Sequence, residues 1–182
     1  MKKLFVLAAL AVSMSTSSYA ALDIGDKAPG FTTSAALNGQ VFQFSLADSL
    51  AKGPVVLYFF PAAFSVGCSI EAHEFAEAIE QFKALGATVI GVSGDDIETL
   101  GKFSMQTCQG KFPVASDGTQ NIMKSYDAVM TLRPEYANRV SYVIAPNGSV
   151  VYNYQSLNPS RHVENTLGAL RGWAQGKALK TP

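Results

Sequence analysis

Val55-Val56-Leu57-Tyr58-Phe59-Phe60 is an unbroken run of apolar and aromatic residues that stops at Pro61. A run of this kind, without alternation, predicts a strand covered on both faces, and hence a sheet with helices on each side. The segment after Pro61 is equally constraining. A short loop carries a hydroxyl at Ser65 and a glycine at Gly67, and a helix then opens with Cys68 in its first turn. A thiol in that position meets backbone N–H groups that have no helical acceptor, and the positive end of the helix dipole. Both favour thiolate over thiol, and such sites take a cysteine pKa from about 8.5 to roughly 3.5–7.5. The residues predict a nucleophile at the carboxyl end of a strand, where open α/β sheets place their sites.

The rest of the chain extends the same pattern. After an Asn38-Gly39 turn, residues 41–44 read as a short strand and 45–51 as a helical turn. Residues 71–85 read as a helix with Ala72, Phe75, Ile79 and Phe82 inward, and with Glu71, Glu74, Glu77 and Glu80 as its solvated face. A strand at 88–92 and a helix at 97–106, capped by Asp95 or Asp96, come next. Then come a short strand at 113–115 and a short helix at 119–126. Strands at 139–145 and 149–154 are joined as a hairpin by Pro146-Asn147-Gly148, and a last amphipathic helix spans 160–175. This order predicts an α/β protein of the thioredoxin-like type, with a central mixed sheet of about five strands flanked by helices.

Residues 1–20 stand apart. Lys2 and Lys3 precede nine apolar residues at 4–12, and a small, polar stretch ends in Ser18-Tyr19-Ala20. This is the pattern of a signal peptide cleaved after Ala20, leaving one domain over 21–182 in the periplasm. The alternative is an uncleaved anchor, but nine residues fall short of the about 20 that span a bilayer. The chain has 14 basic and 14 acidic residues, so loss of Lys2 and Lys3 leaves a formal charge of −2. With no basic patch or charge run, neither nucleic acid nor a membrane surface is an expected partner. Two cysteines in an oxidising compartment are also the material of a structural disulfide.

At Pro61, Ser65 and Cys68 the spacing Pro-x3-Ser-x2-Cys resembles the active-site motif of the peroxiredoxins. Three further segments match in order: Gly25-Asp26-x-Ala28-Pro29-x-Phe31, Phe112-Pro113-Val114-Ala115-Ser116-Asp117, and Arg139-Val140-Ser141-Tyr142-Val143-Ile144. The stretch from Gly67 to Phe75 is similar to the bacterioferritin-comigratory, or type Q, subfamily. The resemblance implies a peroxidase that needs no cofactor, because the sulfur carries the redox change. Its substrates would be hydrogen peroxide and organic hydroperoxides, and its partner a thioredoxin-like or other dithiol reductant. It implies a monomer. It implies that Cys68 attacks the peroxide, that Arg139 and Ser65 hold and polarise it, and that Pro61 shields the thiolate. Each residue also has a plainer reading: Cys68 as an inert buried thiol, Arg139 as a surface charge, Ser65 as a helix cap. Glu71 resembles a family position and reads as an ordinary first-turn acid.

The chain departs from the commonest form of the subfamily, in which a resolving cysteine lies five residues after the first; that position is His73. Cys108, 40 residues beyond Cys68, is the remaining thiol and the implied resolving residue. Two alternatives stay open: a permanent Cys68–Cys108 bridge, and a one-cysteine enzyme resolved by an external thiol. His162 is the only other imidazole, and no metal-ligand spacing is present. Two other classes compete with the peroxidase. A thiol–disulfide oxidoreductase of the same fold normally carries Cys-x-x-Cys, whereas Ser65 and Glu71 flank Cys68 at those spacings. A non-catalytic binding module would leave Cys68 unreactive.

Overall fold

The apolar run at 55–60 forms the middle of a sheet. β3 (Val55–Phe59) is buried at every position, and its side chains alternate between two separate cores. Val56 and Tyr58, continued by Phe60, enter one core, and Val55, Leu57 and Phe59 enter the other. The structure, a computed structural model, describes residues 21–176. The predicted export segment at 1–20 lies outside the described residues.

β3 pairs in parallel with β4 (Thr88–Ser93) and antiparallel with β6 (Val140–Ile144). β4 pairs in parallel with β5 (Val114–Ser116). Antiparallel pairs of β1 (Thr32–Leu37) with β5 and with β2 (Gln40–Ser45), and of β6 with β7 (Val150–Gln155), complete the sheet. The order is β2-β1-β5-β4-β3-β6-β7, seven strands where the sequence predicts about five. Six of the seven match segments read as strands in the sequence, and the one without a counterpart is β1. Its sequence, TTSAAL, has no alternation of large apolar residues, and only Ala35 and Ala36 are fully buried. The turn recruits it: Asn38 and Gly39 both take positive φ, 48° and 75°, which suits a two-residue hairpin and brings β1 alongside β2.

Helices cover both faces. α2 (Val66–Ala84), α3 (Ile97–Gln106) and α5 (His162–Ala174) pack over the core that holds Tyr58. α1 (Leu46–Leu50) and α4 (Asn121–Ser125) close the other. Asp96 caps α3 by accepting from the Thr99 N–H at 2.8 Å, which decides between the two candidate caps. Among the described residues no helix is long and apolar enough to cross a membrane.

Candidate active site

The loop after β3 is held from the side. The Ala63 N–H donates to Asp95 Oδ2 at 2.8 Å, and the Ser93 hydroxyl donates to the same oxygen at 2.7 Å. Phe64 sits in the left-handed region, φ 63°, with its ring edge-on to Phe103 at 5.2 Å. A bulky residue at positive φ is strained and persists only where its surroundings dictate it. Here the Asp95 anchor and the Phe103 contact do so. Asp95, offered by the sequence only as a cap, instead fixes the loop between Pro61 and Ser65. Pro61 is half-buried at the head of that loop.

Ser65 is the N-cap residue of α2, with extended backbone, but its hydroxyl makes no cap hydrogen bond. The plainer reading of Ser65 as a side-chain cap is therefore not met. α2 begins at Val66, so Cys68 is its third residue, in the first turn as the sequence predicts; the range 71–85 read from apolar spacing starts five residues late. The N–H of a third residue has no partner within the helix. Cys68 is 1% exposed.

Arg139 reaches this sulfur from the start of β6, the strand that pairs with β3. It stands immediately before β6 and is itself buried. Its Nε donates to the Leu157 carbonyl at 3.1 Å, one terminal nitrogen donates to Glu71, and the other donates to Cys68 Sγ at 3.3 Å. The reading of Arg139 as a surface charge fails on this geometry. Gly67 makes room for the approach, since a Cβ at 67 would lie 3.1 Å from Arg139 Nη2. Burial works against the charge on Arg139, but Glu71 and Cys68 outweigh it and hold its pKa above the ordinary value.

Glu71 corrects the sequence reading. It is fully buried rather than part of a solvated face, and one of its oxygens is paired with Arg139. The other, Oε1, has no hydrogen-bond partner among the described residues. It faces Nδ1 of His162 at 3.4 Å. Burial pushes the Glu71 carboxyl up to about 8, with Arg139 pulling the other way. His162 is also fully buried; its Nε2 lies 2.9 Å from the Ser156 carbonyl and its Nδ1 2.8 Å from the Ser141 hydroxyl. A carbonyl only accepts, so Nε2 carries the proton and the Ser141 hydroxyl donates to Nδ1 of the neutral ring. Burial pushes His162 down to about 4.

Cys108 lies just beyond α3 in the same apolar core as Cys68, among Tyr58, Phe75, Phe103 and Phe112. It is fully buried and free, as is the thiol of Cys68. Burial drives its pKa far above the ordinary thiol value. His73, in the position where the subfamily's usual resolving residue would sit, is exposed, with Nδ1 2.9 Å from the Gln109 amide. The structure thus brings Cys68 and Arg139 into contact beside the Pro61–Ser65 loop, adds Glu71 and His162, and leaves Cys108 as a free thiol in the same core. Among the described residues no group of His, Cys, Asp or Glu is placed to hold a metal ion.

Residues 24–153 match the AhpC/TSA family. The chain is similar to the chloroplastic peroxiredoxin Q of Populus jackii, 33% identical over 162 residues, covering 87% of this chain and 73% of the relative. The chloroplastic peroxiredoxin Q of Oryza sativa subsp. japonica is 34% identical over 148 residues, which is 81% of this chain. The chain spans 66% of that rice relative's length. The crystal structure of the peroxidoxin BcpB from Mycobacterium tuberculosis superimposes with a TM-score of 0.73 at 26% identity, covering 82% of this chain and 96% of that one.

Proposed function

This chain belongs to the AhpC/TSA family as a peroxiredoxin of the Q type, and from that premise we propose that it is a thiol-dependent peroxidase acting through Cys68. The observation that carries the reading is the 3.3 Å contact from Arg139 to Cys68 Sγ at the third position of α2. A charge-assisted donor and a helix N-terminus both stabilise an anionic sulfur.

The thiolate attacks the near oxygen of a hydroperoxide in line with the O–O bond. An S–O bond forms, the O–O bond breaks, and the departing oxygen takes a proton to leave as water or an alcohol. Cys68 becomes a sulfenic acid, the first rung of cysteine oxidation. Arg139 and the free N–H groups of the first turn of α2 are fixed donors for the charge that develops on the oxygens. The Ser65 hydroxyl, uncommitted to capping, can donate to one peroxide oxygen and accept from the peroxide proton. Pro61 limits water at the sulfur. Exposed Phe64, Val66 and Ile70 give the approach an apolar side, which suits organic hydroperoxides as well as hydrogen peroxide.

The sulfenic acid is then attacked by Cys108. A disulfide forms, water leaves, and a thioredoxin-like or other dithiol reductant returns both thiols by exchange. Bridging requires the Cα atoms to come within about 7 Å, so the first turn of α2 and the end of α3 must open locally. The enzyme works as a monomer, exported by residues 1–20.

The test is peroxide consumption with dithiothreitol, together with intact mass after one equivalent of peroxide. Wild type should turn over rapidly and form an intramolecular disulfide, in a chain beginning at Ala21 when made in an exporting bacterium. Cys68→Ser should lose rapid turnover. Cys108→Ser should stop at the sulfenic or sulfinic stage. Equal slow consumption by wild type and Cys68→Ser would overturn the peroxidase reading. The same oxidised species from wild type and Cys108→Ser would remove Cys108 as the resolving residue.

A further inference from the structure

Glu71 and His162 form a buried polar pair that the proposed chemistry leaves unused. We infer that they are positioning residues for the peroxide reaction at Cys68: together they decide how much of the Arg139 charge is left to face the sulfur. The inference rests on the peroxidase reading and extends it.

Arg139 carries one positive charge and touches two groups that can be anionic, Cys68 Sγ and Glu71. If Glu71 is ionised, the guanidinium is already compensated and a thiolate beside it gains little. If Glu71 holds a proton, the whole charge faces the sulfur. The geometry on the far side of Glu71 bears on that choice. Nε2–H of His162 is engaged with the Ser156 carbonyl, and the one lone pair of Nδ1 accepts from the Ser141 hydroxyl. The same electron-rich nitrogen lies 3.4 Å from Glu71 Oε1, a buried oxygen that no donor reaches among the described residues. Electron-rich nitrogen against a carboxylate oxygen is repulsive, and one proton on Oε1 removes that repulsion.

Burial acts in the same direction, raising Glu71 to about 8 and lowering His162 to about 4. Between the two values the pair is neutral and holds its proton on the carboxyl. The charged and titratable groups around it come from several elements. Cys68 and the half-buried Glu74 lie on α2, Arg139 precedes β6, and Tyr58 faces Glu71 from β3. The Tyr154 ring, on β7, stands edge-on to His162 at 4.7 Å. Arg161 and Glu164, beside His162 in sequence, are exposed on the outer side.

The consequence is an alkaline limb in the reaction rate. As pH rises and Glu71 loses its proton, Arg139 is neutralised and the rate falls. Stopped-flow oxidation of reduced wild type by hydrogen peroxide between pH 5 and 9.5 should show that fall. Glu71→Gln, which cannot ionise, should abolish it. His162→Gln keeps a donor for Ser156 but removes the Nδ1 lone pair. The limb should then move to lower pH by about one unit, a loss of roughly fivefold in rate at pH 8. Ser141→Ala frees Nδ1 for Glu71 and should move the limb the other way. General damage to the fold would not produce opposite shifts. If wild type reacts rapidly but shows no alkaline limb, or if neither His162→Gln nor Ser141→Ala moves it, the inference falls, whatever the folding of Glu71→Gln. If wild type does not react rapidly with peroxide at all, the peroxidase reading fails instead.

Discussion

Cys68 and Cys108 lie in one apolar core, and each is almost completely shielded from water, yet they stand in opposite surroundings. Cys68 sits at the start of a helix with a guanidinium on its sulfur, and behind that guanidinium lies a second layer of Glu71, His162 and Ser141. Cys108 has aromatic rings around it, and burial is the single cause of its raised pKa. Burial alone makes a cysteine inert, because it penalises the charged form. What separates the two residues is whether fixed dipoles and charges replace the lost water. Near Cys68 they do. Near Cys108 they do not, so in the proposed cycle it acts only after Cys68 is oxidised and α2 and α3 have opened.

The strongest way to break the contrast is to remove the charge from Cys68. Arg139→Met should lower the rate of the first peroxide step by about 10²–10³, the usual cost of losing one fixed donor at a developing charge. It should also destabilise the protein, by about 1–3 kcal/mol, because a buried oxygen of Glu71 then loses its donor. Stopped-flow rates at a temperature well below the variant's own unfolding midpoint separate the two effects. A fall of less than about fivefold would mean that the helix terminus alone activates the sulfur.

The other side of the contrast can be probed without touching Cys68 chemistry. In Cys68→Ser protein, iodoacetamide should modify Cys108 about 10²-fold more slowly in the native state than in urea, because a buried, protonated thiol reacts only through local opening. Mass spectrometry over time gives the rate. Comparable rates in both states would show that Cys108 is already accessible, and the picture of a sealed reserve thiol would be wrong.

How far the sequence revealed this contrast depended on the range of the interaction. The Cys68 side was legible because its parts are local: an unalternating strand, a proline, a glycine and a helix start within fourteen residues. Arg139 was reachable only through family resemblance, since nothing near it in sequence says that β6 pairs with β3 and sets it beside Cys68. Glu71 was misread for a geometric reason. Acids spaced by three residues drift by about 60° per step around a helix. Glu71 and Glu80 therefore point to opposite sides, and only the latter end of the series is solvated. That drift could have been computed from the sequence. His162 gave no such signal, because its partners come from α2, β6 and the segment after β7. β1 was missed because pairing with its hairpin neighbour, rather than its own side chains, makes it a strand.

The smallest predicted effect tests how finely Arg139 is placed. Gly67→Ala would set a methyl group 3.1 Å from Arg139 Nη2, close enough that the guanidinium must move by a few tenths of an ångström. Its other two contacts, to the Leu157 carbonyl and to Glu71, resist that motion, so the hydrogen bond to Cys68 is the one that lengthens. Since a displacement of 1 Å can cost about 10² in rate, a few tenths should cost roughly three- to tenfold. Stability should move the opposite way or not at all, because glycine in a helix is about 0.5–1 kcal/mol less favourable than alanine. Slower peroxide oxidation in a protein that unfolds no earlier, with Cys108 labelling unchanged, would place the effect on the Arg139–Cys68 contact alone. An unchanged peroxide rate would mean that the guanidinium tolerates displacement, and that the gap at Gly67 serves packing rather than chemistry.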